Sequence, residues 1–144
     1  MVNKINMMDQ SDLRILHMLL KDSRMSLAKI AKELGMSQPA AQKRIEKLKA
    51  KGIIIGSTVL LNEKMIGWKH ALVVLNAGRK DYMGLLDSLK GLPTVIAVYQ
   101  TTGPYAIGVE MVGAAGVVDG MIAHIRKMKG VRDFCPISLE EKVL

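Results

Sequence analysis

The sequence predicts an α+β protein in two parts: an N-terminal helix-turn-helix unit of winged-helix-like build, then a ferredoxin-like βαββαβ unit. Three observations carry this. Residues 1–52 hold 11 Lys+Arg against 5 Asp+Glu while residues 53–144 hold 10 against 8, so the formal charge of +8 is concentrated in the first third. The first part shows helical periodicity with capping residues at each break, and the second alternates apolar runs of strand length with two amphipathic stretches. At 144 residues and 49% hydrophobic content the chain can bury one or two small cores. The expected division is 1–52, a strand and linker over 53–67, and 68–144.

The first helix is read in "DQSDLRILHMLLKD", where Leu13, Leu16 and Leu20 recur at helical spacing, flanked by Ile15 and Leu19. Asp9 is its N-cap and Asp12 stands three residues on. The second is "SLAKIAKELG", capped by Ser26, with Leu27, Ile30, Ala31 and Leu34 inward and Gly35 as its stop. Ser37 then caps a third helix, with Pro39 in its first turn, where a missing N–H costs little. Ala41, Ile45 and Leu48 form its inner stripe, and Lys43 and Lys47 fall opposite.

Two helices joined by a very short glycine turn, the second of them basic, match the pattern that sets a recognition helix in the major groove of DNA. Double-stranded DNA is therefore the expected partner, met by Ser37, Gln38, Pro39, Gln42, Lys43, Arg44 and Lys47. Gln pairs with an adenine edge and Lys donates to guanine, while Arg44 and Lys47 are expected on phosphates.

After Gly52, "IIIGSTVLLN" reads as a strand that pairs in a sheet or with a second chain. "NEKMIG" connects to strand 68–78, helix 81–92, strands 95–103 and 105–113, helix 114–130 and strand 131–143. The helical stripes are Tyr82, Leu85, Leu86 and Leu89, then Val117, Met121, Ile125 and Met128. They cover one sheet face. The other is expected to be lined from Ala71, Val73, Leu75, Ile96, Val98, Ile107 and Val109, depending on register, and to be covered by a second copy in a two-fold homodimer.

Other function classes find little support. The N-terminal "MVNKINMMDQSD" lacks the apolar stretch of a targeting peptide, and no apolar run nears the about 18 residues of a membrane span, so a cytoplasmic location without membrane contact is expected. Cys135 stands alone as a small apolar filler. His17, His70 and His124 are scattered without metal-ligand spacing, and Met18, Met83, Met121 and Met128 read as core filler. No phosphate-binding glycine loop, nucleophile motif or carboxylate pair is present, so no cofactor, metal or catalytic residue is expected.

This order of parts closely resembles the Lrp/AsnC family of transcriptional regulators, the feast/famine proteins, over nearly the whole chain. "MDQSDLRILHMLLKDSRMS", "LAKIAKELGMS", "RIEKLKAKGIIIGSTVLLN", "GLPTVIAVYQTTGPY" and "KGVRDF" are similar to its LDxxDxxIL opening, helix-turn-helix, exit strand, PxVxxxxxxTGxxD loop and LPGVxxxxT ending. The resemblance implies a DNA-binding first unit and a second unit, called RAM, that dimerises, builds octamers and takes an amino-acid effector. The effector loop maps onto Thr101, Thr102, Gly103, Pro104 and Tyr105. Here the sequence departs from the family, whose loop commonly reads TGDYD: "TGPYA" puts Pro104 and Ala106 where acids often stand, and so weakens the hold on an ammonium group. Two alternatives remain: a RAM-fold enzyme of the sirohaem decarboxylase type, and an architectural DNA-binding protein without effector.

Overall fold

The structure, a computed structural model, describes residues 8–140. The chain divides into two compact units, Met1–Leu60 and Leu61–Leu144, so the stretch expected as a linker over 53–67 is shared between them. The last residues of the expected final strand, 141–143, lie outside the described residues.

In the first unit, α1 (Gln10–Lys21) is opened by a reciprocal cap: the Asp12 N–H donates to the Asp9 carboxylate at 2.9 Å, and the Asp9 N–H to the Asp12 carboxylate at 3.2 Å. The helix α2 (Leu27–Leu34) starts where Ser26 Oγ accepts from Lys29 N–H and stops at Gly35, whose φ of 63° suits a residue without Cβ. Two residues later Ser37 caps α3 (Gln38–Ala50), its Oγ accepting from Ala40 N–H at 3.3 Å. Ile15, Ile30, Ala31, Ala41 and Leu48 form the core.

The phase of α1 differs from the expected stripe. Ile15 is fully buried while Leu20 is 83% exposed, because α2 and α3 pack on the side of Ile15. The expected strand after Gly52 also does not form within this chain. Ile53 and Ile54 close onto the helical core, and from Ile55 to Leu61 the backbone has neither helix nor ladder, with Ile55, Val59 and Leu60 largely exposed. A strand needs a neighbouring backbone, and the four-stranded sheet of this chain pairs with none of these residues.

The second unit begins with a single 3-10 turn, Glu63–Ile66, leading into β1 (Trp68–Ala77). It continues through α4 (Tyr82–Lys90), β2 (Val95–Gln100), β3 (Ile107–Ala114), α5 (Ala115–Arg126) and β4 (Val131–Leu139). The strands pair antiparallel in the order β2-β3-β1-β4. Register decides the faces: Ala71, Val73 and Leu75 lie opposite Met111, Val109 and Ile107, all fully buried beneath α4 and α5 with Leu85, Leu86, Leu89, Val118 and Ile125.

Ala71, Val73, Leu75, Ile107 and Val109 therefore line the covered face, not the bare one, and Val98 packs against them. A one-residue change of parity moves every side chain across a sheet, and the apolar run of β1 gives no alternation to fix that parity. The open face carries Leu72, Val74, Val112 and Ile137 instead, and Ile96 is exposed. In α5 Val118 rather than Val117 packs inward with Ile125, Val117 being half exposed, and Met83 on α4 is exposed rather than filling the core.

Candidate nucleic-acid interface

Helix α3 has two unlike sides. Ala41 and Leu48 are buried and Ile45 is half-buried against α1 and α2, whereas Gln38, Pro39, Gln42, Lys43 and Lys47 are exposed. Neither Lys43 nor Lys47 has an ion-pair partner among the described residues. Gln42 Nε2 donates to Glu46 Oε1 at 2.9 Å, an exposed bond one helical turn long that water or a base edge replaces at small cost. Ser37 is exposed at the helix start and is committed to its cap.

Arg44 departs from its expected place on phosphates. Its Nη1 donates to Asp9 Oδ2 and Asp12 Oδ1, both at 2.7 Å, tying α3 to the start of α1. Asp12 is almost fully buried and needs this cation. The Asp12 backbone N–H first, and the Arg44 guanidinium second, hold the Asp9 carboxyl below its ordinary value, while hydrogen bonds to the Asp9 carboxylate first and the Asp12 carboxylate second raise Arg44. The sequence does carry a signal for this: two carboxylates at the start of α1 require a cation, and Arg44 borders the inward stripe of α3 that faces them.

The loop Thr101–Ala106 joins β2 to β3. Thr101 Oγ1 donates to the Tyr105 carbonyl at 2.7 Å, and the Thr101 N–H to the Ala106 carbonyl at 2.9 Å. Asn76 on β1 grips the loop from beneath, donating to the Pro104 carbonyl at 2.8 Å and accepting from the Ala106 N–H at 2.9 Å. The same amide reaches Asp133 Oδ2 at 3.1 Å. Thr102, Gly103 and Pro104 are exposed at the tip, and Gly103, at φ 121°, makes the turn. Tyr105 is half-buried, its phenol pushed above its usual value by Cys135 first, then by desolvation and Asp133.

Residues 8–49 match the AsnC-type helix-turn-helix domain. Over 140 residues the chain is 31% identical to the HTH-type transcriptional regulator LrpA of Pyrococcus horikoshii, an alignment covering 95% of this chain and 99% of that one. The chain belongs to the Lrp/AsnC family. Like other members of that family it is a DNA-binding transcriptional regulator, and its fold agrees: the AsnC structure of E. coli superposes with a TM-score of 0.73 at 26% identity, covering 95% of both chains. A transcriptional regulator from Neisseria meningitidis, solved as an L-Met complex, shares the fold at a TM-score of 0.78 and 15% identity, over 95% of this chain and 92% of that one.

Within this Lrp/AsnC frame, sequence reasoning missed two constellations. Asn76 holds the β2–β3 loop across the sheet, and pairing of β1 with β4 brings Asp133 to Asn76, so no local spacing announces either residue. On the open sheet face Glu110 accepts from Tyr99 Oη at 2.9 Å and lies 2.8 Å from His70 Nε2, with Glu63 at 3.5 Å from His70 Nδ1. His70, one of three scattered histidines in the sequence, is thus the centre of a carboxylate network. Among the described residues no three or more His, Cys, Asp or Glu side chains are placed so that they could hold a metal ion, and no helix is long and apolar enough to cross a membrane.

Proposed function

We propose that α3 reads DNA with its exposed side: Gln38, Gln42 and Lys43 touch base edges, Lys47 meets phosphate, and Ser37 and Pro39 set the helix start against the backbone. The observation that carries this reading is the division of α3 into a packed side and an uncommitted cationic one, with Arg44 held inward. Selection of sites from a random duplex pool by the full-length chain tests it. Enrichment of one inverted-repeat motif is the expected result; recovery without any motif refutes sequence-specific reading.

The working unit is a homodimer. Leu72, Val74, Val112 and the partly exposed Ile137 and Leu139 leave an apolar sheet face open, and a second copy of that face covers it by two-fold symmetry. Residues 55–61, apolar and without a ladder, suit pairing with the same partner. A monomer in sedimentation at micromolar concentration overturns this. Assembly from dimers to an octamer rests on the family likeness alone.

A small effector at Thr101, Thr102, Gly103, Pro104 and Tyr105 is part of the same reading, motivated by the loop and by the L-Met complex of the Neisseria relative. The acids absent from "TGPYA" are partly replaced in space by Asp133, the nearby acceptor for an ammonium group. Calorimetry with the twenty amino acids tests the site, and Asp133→Asn should weaken any binding found. The chain is assigned no reaction of its own and a cytoplasmic place beside its DNA; the support is that its relatives are named as transcriptional regulators.

A further inference from the structure

The sheet unit carries little net charge, but that charge is strongly polarised. Arg79 and Lys80 lie in the β1–α4 loop, Arg126 ends α5, Lys127 and Lys129 follow it, and Arg132 stands near the start of β4. The two connections are locked side by side. Gly78 N–H donates to the Gly130 carbonyl at 3.1 Å, and Gly130, at φ 88°, packs so closely on Asp81 that a Cβ there would collide with it. This end therefore gathers six cations against two carboxylates, Asp81 and Asp133, a local net charge of +4. The rest of residues 61–140 has three cations against five carboxylates, a net −2.

Neighbouring structure does not use these cations. Elsewhere in the unit Lys69 pairs with Asp119 at 2.6 Å and Lys90 with Asp87 at 3.2 Å, yet Arg79, Lys80, Lys127, Lys129 and Arg132 have no ion-pair partner among the described residues. Arg126 lies over the Phe134 ring, 5.7 Å from its centre. Helix electrostatics accounts for Arg126 and Lys127, which follow the negative end of α5. It does not account for Arg79 and Lys80, which stand just ahead of α4, where a helix favours acids.

We infer that this end of the sheet unit is a second contact surface for duplex DNA, gripping the phosphate backbone without reading sequence. This rests on the reading of α3 as the DNA-reading helix. DNA held by α3 carries flanking phosphate with it, and a second cationic surface of the same chain that engages that DNA at the same time gains by effective concentration. The residue types fit phosphate, and Tyr82 and Phe134 are packed against the core rather than presented for stacking on unpaired bases, which favours duplex over single strands.

The test uses the full-length chain and the variant Arg79→Gln/Lys80→Gln/Lys127→Gln/Lys129→Gln, all four residues being exposed. Each is titrated by fluorescence anisotropy, across a salt series, against two duplexes with the same selected site: one trimmed to the site, one with about two helical turns of flanking DNA. The expected result is a difference confined to the flanked duplex, where the variant binds more weakly and the slope of log K against log salt shrinks by about 0.9 for each phosphate no longer neutralised. Sequence preference stays as in the wild type. Lys43→Ala serves as control and should weaken both duplexes; if it weakens neither, the reading of α3 fails rather than this one. Equal slopes for variant and wild type on the flanked duplex overturn the inference. A smaller variant, Lys80→Gln/Lys129→Gln, shows about half the slope change if the four cations act independently.

Discussion

Among the described residues five buried side chains hold the helical unit together, whereas eleven fill the core of the sheet unit, and the two units differ as much in kind as in size. The helical unit is fastened at its helix ends, by the Asp9–Asp12 box, the Ser26 and Ser37 caps and the inward Arg44. The sheet unit is fastened by register, which sends Val73 and Val109 under the helices and Val74 out of them. A small core leaves more of the stability to polar fasteners, so the two units should break under different substitutions.

The largest effect separates adjacent residues of β1. Val73→Asp puts an unpaired carboxylate under α4 and α5 and should cost several kcal/mol, about 3–5, enough to unfold the sheet unit in a thermal melt followed by circular dichroism. Val74→Asp, one residue on, should leave the fold and instead shift sedimentation from dimer to monomer. Equal melting losses for both would mean that the register is wrong.

In the helical unit the matching break is Arg44→Ala, which strips the nearly buried Asp12 of its cation and should cost about 1–3 kcal/mol by denaturant titration. It also has a pH signature. The folded-state value of Asp9 lies below 3.8, so its stabilising contribution is complete at neutral pH, begins to fade as pH falls past 3.8, and is gone below the depressed value. Arg44→Ala should flatten that acid limb only in part in a pH series of melts, because the Asp12 N–H, the larger cause of the shift, stays in place. The smallest effect is Ser37→Ala, about 1 kcal/mol from a missing cap, with a parallel fall in DNA affinity if the start of α3 frays.

The same contrast explains what is legible in the chain. Asp9, Ser26, Gly35, Ser37 and Pro39 act on residues within one turn of themselves, and the three helices of the first unit start or stop where these residues place them. The order of strands and helices in the second unit is legible too, because apolar runs and amphipathic stretches are contiguous. Parity is not: "ALVVL" is apolar at every position, so only pairing with β3 and β4 decides that Val73 is covered and Val74 is not. Arg44 is harder to read: its charge looks like its neighbours' charges, and its partners lie over thirty residues away, so only the two carboxylates opening α1, taken together with its place beside the inward stripe of α3, single it out. Asn76 and Asp133 escape a sequence reading, being brought together only by the ladder.

The central claim is that the exposed side of α3 reads sequence while its lysines differ in task. Anisotropy titrations of Lys43→Ala and Lys47→Ala against a selected duplex, and against single-base variants of it, test this most directly. Lys43→Ala should lose about 1–3 kcal/mol of discrimination at one or two positions in each half-site, with other positions unaffected. Lys47→Ala should weaken every duplex alike and lower the salt slope by about 0.9 for each phosphate left without its cation. Unchanged affinity and unchanged base preference in Lys43→Ala would contradict the account and place the reading surface elsewhere.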